Sequence, residues 1–558
     1  MMNQELSQIF NSMANYLEIE NSSFRSKAYR KVAEVLETLD KSVEEIEDLE
    51  SIPGVGKNIA EKIEEYLKTG IIKDYENLKK KTPIKLEEII AVEGMGVKRA
   101  KILYKELKIK NLKDLEKAAF KNKIAGLDGF GEKSQKNILE GIEFLKRSSG
   151  RLTLGKITPV VEEIIKKLSR LKEVEKISPA GSFRRKKETV GDIDILVVSK
   201  KPKEVMAFFV GMKNVVKIWG QGETKSSVRV KEGIDVDLRI VPSESYGSAL
   251  QYFTGSKEHN IITRKIAISK GLKLNEYGVF RDSKKIAGET EEDVYKAIGL
   301  DWIPPELRES DLDLSKIPKV VEIKDIKGDL HCHSNWNGGS DSIEDIVKKA
   351  VKLGYEYIGI SDHTKFLAIE NGLDEKQLLK QKKEIEKLNK KSLIKILWGC
   401  EANILTDGSI DILDEVLAQM DYVIAGVHSA LKIDKERMTA RIIKAMRNPN
   451  VDIISHPSGR ILGHRDEYQF DFDKILKVAK ETGTVLEINS SPYRLDLKDS
   501  NIKKAIKAGV KMIINTDAHQ TSQLDLMHFG ISQARRGGAE KSDIINTYSL
   551  SKLLKNLK

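Results

Sequence analysis

Only two cysteines, Cys332 and Cys400, occur in 558 residues, so no disulfide framework holds the fold together. That scarcity points to a reducing compartment, and the cytoplasm is the expected location. Apolar runs are short. None approaches the ~18 residues of a membrane-spanning helix, so no membrane partner is expected. The opening Met1-Met2-Asn3-Gln4-Glu5 lacks the basic and apolar stretches of a secretory signal. No heptad pattern or spare apolar face stands out, and a monomer is expected. Charge, by contrast, is abundant. Charged residues make up 32% of the chain, the net charge is +11 and the pI is about 9.0. This balance favours a polyanionic partner, although charge alone speaks only of non-specific attraction. With 40% hydrophobic residues the chain is globular, and its length exceeds what one core can hold; roughly three to five domains are expected.

One stretch organises the reading. Ile193-Asp194-Ile195-Leu196-Val197-Val198 is short, apolar and β-branched, the pattern of a buried strand. Asp192 and Asp194 sit two apart at its start, so alternation turns both carboxylates to one side. Like charges about 5–7 Å apart repel, and a hard divalent cation with oxygen ligands is their natural partner. Upstream, Gly181-Ser182 allows close backbone approach and offers a hydroxyl and N–H groups to an anion. Arg184 and Arg185 add forked phosphate donors. A third carboxylate, Asp237, comes from the strand-like run Ile234 to Val241. Three carboxylates, two divalent ions and a phosphate cradle suit in-line attack of a hydroxyl on phosphorus.

The segment resembles the nucleotidyltransferase signature of family X DNA polymerases. The resemblance continues through Tyr252-Phe253-Thr254-Gly255-Ser256-Lys257-Glu258-His259-Asn260, Arg264 and Leu274-Asn275-Glu276-Tyr277. It implies that Asp192, Asp194 and Asp237 hold two Mg²⁺ or Mn²⁺ ions, with Asp237 nearest the primer 3′-hydroxyl. Gly181, Ser182, Arg185 and Gly191 would contact the triphosphate. Tyr252, Phe253 and Gly255 would line the sugar pocket, Lys257 would lie over the incoming base, and Asn260 and Arg264 would reach the new pair and the template.

The N-terminal residues read as helices, with Phe24, Ala28, Val32, Val35, Leu36 and Leu39 at helical spacing. Ile52-Pro53-Gly54-Val55-Gly56-Lys57, before an amphipathic run, resembles a helix-hairpin-helix. Its glycines would let backbone N–H groups at a helix N-terminus face a DNA phosphate without reading bases. The pattern recurs at Gly94 and Gly96 and again at Gly129 and Gly131. Repetition makes a non-specific clamp on the DNA backbone the better reading. Ile59, Ile63 and Leu67 form the expected buried stripe of the first hairpin helix, with Lys62 at its flank. By resemblance Lys62 is the candidate nucleophile of an abasic-sugar lyase, although Asn58 and Arg25 stand where relatives carry lysines.

Eight of the nine histidines lie beyond residue 328. His331 and His333 end a short strand start and share one side of it. His363, Glu401, His428, His456, Asp517 and His519 each close a further apolar β-like run, and helical stretches separate the runs. Alternating β and α indicates a parallel sheet. Ligands at successive strand ends converge if the sheet closes, so a distorted (β/α)₇ barrel is expected. The donor set suits zinc, manganese or iron, and several ions in one cleft suit phosphoester hydrolysis. This set resembles the polymerase and histidinol phosphatase (PHP) domain, which implies a cluster of up to three Zn²⁺ or Mn²⁺ ions. Relatives carry an Asp where this chain has Gly338, and Asp341, three residues on, is the candidate substitute.

The expected fold is multidomain. Residues 1–80 form a helical lyase-like DNA-binding domain and 81–150 a helix-hairpin-helix domain. An α+β nucleotidyltransferase palm (151–241) and a thumb-like nucleotide-selection subdomain (242–315) follow, then a linker (316–326) and an α/β PHP domain (327–558). The expected function is template-directed gap filling on gapped or nicked DNA with dNTPs, joined to a 3′–5′ exonuclease, abasic-site or 3′-end phosphoesterase activity. The alternatives are a phosphoesterase, or a DNA-binding recruitment protein with a silent polymerase site.

Overall fold

Apolar residues at three- and four-residue spacing fold the first 147 residues into helices that share one core, running from Leu6 to Ile142. The structure is a computed structural model that describes all residues except 1, 21, 40–41, 93–94, 148–150, 310–311, 368–370 and 558. The chain divides into two compact units, residues 1–149 with 463–465 and residues 150–462 with 466–558. In the first unit, helix Ser23–Thr38 lies where periodicity predicts it, but the stripe is rotated. Tyr29, Val32, Ala33 and Leu36 are buried, whereas Phe24 is 87% exposed and Ala28 is exposed. Helix Lys57–Thr69 shows a similar rotation. Ile59, Ala60, Ile63 and Tyr66 are buried, Lys62 is buried among them, and Leu67 is only partly covered. The first two predicted domains meet in this core, where Tyr16 donates its hydroxyl hydrogen to the Ile84 carbonyl at 2.8 Å.

The second unit opens with a five-stranded sheet. Its order is Val174–Pro179, Asp192–Ser199, Asp235–Ile240, Lys225–Val230, Val215–Gln221. Only the Asp192–Ser199 and Asp235–Ile240 pair is parallel. Ile193, Ile195 and Val197 face helices Leu154–Leu168 and Pro202–Val210 and are fully buried. The intervening aspartates are thereby turned to the opposite face. Helices Tyr246–Thr254, Lys257–Ser269 and Glu291–Ala297 and a three-stranded antiparallel sheet follow. They are tied down by a buried charge cluster. Glu291 accepts from both guanidinium nitrogens of Arg184 at 2.7 Å, from Arg308 at 2.6 Å and from the Trp302 indole at 3.1 Å. Burial pushes the Glu291 carboxyl up, but the two guanidiniums outweigh it and hold it at about 2.

From Gly328 onward the strands are parallel, as the β/α alternation requires. The hydrogen bonding forms a three-stranded sheet, Gly328–Asp329 to Lys395–Trp398, and a five-stranded one, Glu401–Asn403 to Met512–Asn515. It does not form the single continuous ring of a closed barrel. Single parallel bridges, Cys332 to Ala518 and His363 to Glu401, link the two sheets. The expected linker is not loose: Val321 is buried and its N–H bonds to the Ala539 carbonyl. The palm and the C-terminal domain also share structure. Leu495 and Phe529 enter the palm core, and Arg460 pairs with Glu188 at 2.6 Å. Among the described residues no helix is long and apolar enough to cross a membrane.

Replacing Glu291 with Ala strands Arg308, whose side chain is 0% exposed, without its counter-charge. The expected loss is about 3–5 kcal/mol, read as a lowered unfolding midpoint of the full-length protein in urea.

Candidate active sites

In the palm, parallel register sets Asp192 beside Asp235 and Asp194 beside Asp237. All four carboxylates therefore share the face of the sheet opposite helices Leu154–Leu168 and Pro202–Val210. Asp235 is spoken for: Arg229 pairs with it at 2.8 Å and the Trp219 indole donates to it at 2.8 Å. Asp237 accepts from Ser227 Oγ at 2.5 Å and pairs with Lys225 Nζ at 2.8 Å. Asp194 has less relief. Burial pushes its carboxyl up to about 6, and Asp192 and Asp237 add to the push. A cation between these three acids removes that cost, so the set fits divalent ions bound by carboxylate oxygens.

Gly181 lies against this group. Its φ is +60°, and a Cβ there would come 2.7 Å from Asp194 Oδ2, so only glycine fits. Ser182 follows in the single turn Gly181–Arg184, and Gly191 directly precedes Asp192. Arg184 requires a correction. Its fork is spent on Glu291 and it offers nothing to a phosphate. Arg185 bonds the Thr254 carbonyl and lies 3.3 Å from Glu309, beside Gly255. Tyr252 and Phe253 meet edge to face at 5.1 Å, and the Arg239 guanidinium lies 4.6 Å from the Phe253 ring centre. Asn260 is turned inward, accepting from Gln251 at 2.9 Å and donating to the Tyr252 carbonyl at 2.7 Å. Arg264 is exposed and 5.8 Å from the Tyr252 ring, and Lys257 is exposed at the start of its helix.

In the C-terminal domain the predicted histidines converge. His331, His333, Glu401 and Asp517 place ligand atoms within 4.8 Å of one another, as do His363, Glu401 and His428, and His333, His363 and His519. Glu401 is central. Its Oε1 lies 2.9 Å from His456 and 3.2 Å from His428, and its Oε2 lies 2.9 Å from His363 and 3.3 Å from His331. Burial acts to raise its carboxyl, but His331, His428 and His363 hold it well below the ordinary range. His331 Nε2, both ring nitrogens of His333, His363 Nδ1 and Glu401 Oε2 are buried without a hydrogen-bond partner. Orphaned buried nitrogens aimed at shared carboxylates are what metal ligands look like without their ions, and these residues fit such a cluster. His456 and Asp517 take positive φ values, +28° and +57°, a strain of the kind that collects at functional sites.

Asp341 does not join them. Its Oδ2 accepts from the Thr521 N–H at 2.6 Å, ahead of a short helix, and it belongs to none of the three ligand groups. The group His333, His363 and His519 is thus left with imidazoles alone.

The comparisons with known proteins follow this division. Residues 1–72 match a helix-hairpin-helix domain family and 86–143 a tandem helix-hairpin-helix family. Residues 154–221 match the DNA polymerase beta palm, 249–309 its thumb, and 329–491 the PHP domain. The DNA polymerase/3′-5′ exonuclease PolX of Bacillus subtilis is 37% identical over 559 residues, covering 99% of this chain and 98% of that protein. The chain belongs to family X of the DNA polymerases. Rat DNA polymerase lambda is 25% identical over 53% of this chain and 54% of its own length. A probable phosphatase of Thermoanaerobacter is 32% identical over 39% of this chain and 89% of its own length.

In this family X polymerase two of the expected hairpins adopt the same cap. Gly56 (φ −97°, ψ 172°) and Gly96 (φ −98°, ψ 173°) each start a helix, Lys57–Thr69 and Val97–Leu107. Their spare N–H groups are the anion-facing feature of such a start. Gly54 and Gly129 take positive φ in the preceding turns, and Gly131 precedes helix Glu132–Arg147. Gly94 lies outside the described residues. Lys62 is not at a flank. Its Nζ hydrogen-bonds Asn58 Oδ1 at 2.6 Å and pairs with Asp74 at 3.0 Å, and it must leave both to attack a sugar.

Sequence reasoning missed the residues that orient the ligands. Glu487 accepts from His331 Nδ1 at 2.7 Å and Asn403 holds His428 Nδ1 at 2.8 Å, each directing the other ring nitrogen inward. Arg494 Nε lies 3.6 Å from Asp517 Oδ2. Glu487 sits in the middle of strand Val485–Asn489, an acid within an apolar run, a signal that a search for histidines passes over.

The Asp194 carboxyl sets a sign. Above pH about 6 its charge is a cost in the fold but not in the unfolded chain, and below pH about 4 both forms are neutral. Asp194→Asn therefore stabilises the metal-free protein at pH 7.5 by on the order of 1–3 kcal/mol, with no gain near pH 4. Calorimetry at both pH values checks this, and added Mg²⁺ should narrow the difference at pH 7.5.

Proposed function

We propose that the palm site adds dNTPs to the primer 3′ end of gapped or nicked DNA, and that the PHP site shortens or cleans 3′ ends by phosphoester hydrolysis. The observation that carries this is Asp194 set in register against Asp237, beside Asp192, in a chain matched along 99% of its length by a protein named for both activities. The division proposed places boundaries at about residues 80, 150, 241, 315 and 326; the family matches lie at 1–72, 86–143, 154–221, 249–309 and 329–491.

Asp192, Asp194 and Asp237 would hold two Mg²⁺ or Mn²⁺ ions. When bound, these supply Lewis-acid activation of the primer hydroxyl and neutralise the triphosphate. Asp237, held by Ser227 and Lys225, fixes the end of the site nearest the primer. Gly181 brings its own backbone close to Asp194, and Gly181, Ser182, Gly191 and Arg185 contact phosphate. Tyr252, Phe253 and Gly255 bound the sugar, while Arg264 and Lys257 reach the template and base. Asn260 acts here by bracing Tyr252. The helix-hairpin-helix glycines Gly54, Gly56, Gly96, Gly129 and Gly131 hold the DNA backbone without reading sequence. Lyase action by Lys62 requires release from Asp74.

His331, His333, Glu401 and Asp517 would hold one Zn²⁺ or Mn²⁺ ion, and Glu401 with His363, His428 and His456 a second. When bound, these supply an activated water and a clamp for the scissile phosphate. Arg494, beside Asp517, offsets negative charge arriving with the DNA end. The position at His363 and His519 lacks its carboxylate, because Gly338 has none and Asp341 is engaged elsewhere. The chain works as a cytoplasmic monomer.

Asp192→Ala is expected to abolish nucleotide incorporation on a one-nucleotide gap while sparing 3′ hydrolysis, and His428→Ala to do the reverse. Loss of both activities in each folded variant overturns the two-site division. Metal analysis of the dialysed protein is expected to find about two tightly held ions in the PHP domain rather than three.

A further inference from the structure

The end of the thumb-like subdomain and the PHP domain meet the nucleotide pocket through charges that neither motif set includes. Helix Met527–Arg536 of the PHP domain ends in Arg535-Arg536. Arg535 forks onto Glu306 at 2.8 and 3.3 Å. Arg536, with its side chain 2% exposed, reaches three acceptors: the Arg185 carbonyl at 2.8 Å, Glu309 Oε1 at 3.2 Å and Asp499 Oδ2 at 2.5 Å. Glu309 Oε1 is also 3.3 Å from Arg185 Nε and 3.4 Å from Lys187 Nζ. One carboxylate is therefore shared by three cations, one of which belongs to the nucleotide pocket.

Sharing has a consequence. An arginine and a carboxylate left alone form a two-point pair that withdraws both from other partners. Arg536 competes for Glu309 and also pins the Arg185 backbone. Three cations face two carboxylates, Glu309 and Asp499, which leaves surplus positive charge beside Gly255 and Thr254. We propose that Arg536 of the PHP domain is a positioning residue for the polymerase site: by engaging Glu309 it limits that carboxylate to a single contact with Arg185 Nε and so leaves Arg185 Nη2 for the triphosphate of an incoming nucleotide. The polymerase pocket is completed by the other catalytic domain. The proposal rests on the reading of Arg185 as a triphosphate contact.

The test uses full-length Arg536→Gln, Arg536→Lys, Glu309→Gln and the double variant Arg536→Gln/Glu309→Gln, with wild-type melting temperature as the folding control. Affinity for a fluorescent dNTP on gapped DNA is measured alongside KM and kcat for gap filling. Arg536→Gln is expected to weaken dNTP binding and raise KM about tenfold, the size of one lost charge-assisted contact. Its kcat should stay within about threefold, and 3′ hydrolysis at the PHP site should be unchanged. Glu309→Gln added to Arg536→Gln should restore dNTP affinity to within about threefold of wild type, because the competing carboxylate is gone. A merely structural arginine gives no such rescue. Unchanged dNTP affinity in a folded Arg536→Gln variant overturns the proposal, and so does an Arg536→Lys variant, which keeps a cation for Glu309, that binds dNTP more weakly than Arg536→Gln. So does a double variant as weak as the single one, or a joint loss of both activities with the melting temperature. A wild-type protein that binds dNTP but adds none sinks the polymerase reading and leaves the affinity series to judge Arg536 by itself.

Discussion

The parallel pairing of Asp192–Ser199 with Asp235–Ile240 is the constraint on which the polymerase half depends. Once Ile193, Ile195 and Val197 are buried against helices, alternation leaves the aspartates no choice of face. Register then brings Asp194 to Asp237, and a buried-side repulsion results that protein groups only partly relieve. Lys225 and Ser227 serve Asp237, and Arg229 and Trp219 serve Asp235, but Asp194 keeps a raised carboxyl. The arrangement is unfavourable for the protein alone, and a divalent cation among the three acids would reverse its sign. The left-handed glycine at 181 makes the same concession sterically, giving up a side chain so that backbone and carboxylate can lie close.

The PHP centre reaches a similar end with different chemistry. Glu401 stands among imidazoles, its two oxygens divided between two sets of histidines. Glu487 and Asn403 orient the rings from behind. His456 and Asp517, two of the candidate ligands, take positive φ. Between the two sites runs a third layer of charge with no ligand to hold. Glu188 with Arg460, Glu306 with Arg535, and Glu309 with Arg536 lie where the domains join. Buried pairs of this kind contribute little net stability, but breaking one is costly, so they fix orientation more than they strengthen the fold.

Much of both sites was legible from residue order. Short apolar runs ending in acids or histidines marked the strands and the faces of their ligands, because strand periodicity is local. Helix phase was less legible. Periodicity placed Phe24 and Ala28 inside, yet the core took Tyr29 and Ala33, since the packing partner and not the helix chooses which stripe is buried. Arg184 looked like a phosphate donor from its place in the motif. Glu291, more than a hundred residues away, claims it. Asp341 is near enough in sequence to replace a ligand, but its carboxylate is taken by the Thr521 N–H.

The sequence by itself determined which residues could ligate and on which side of a strand they would stand, because alternation, glycine freedom and acid spacing act over a few residues. It also determined the order of the helical, palm and PHP segments. Tertiary structure alone decided which charges neutralise each other. It set Glu291 between Arg184 and Arg308, turned Asn260 inward, and brought Arg536 to Glu309 and the Arg185 carbonyl. Electrostatic pairing depends on distance in space and on burial, and neither can be read from separations along the chain, which here run from 9 to 351 positions.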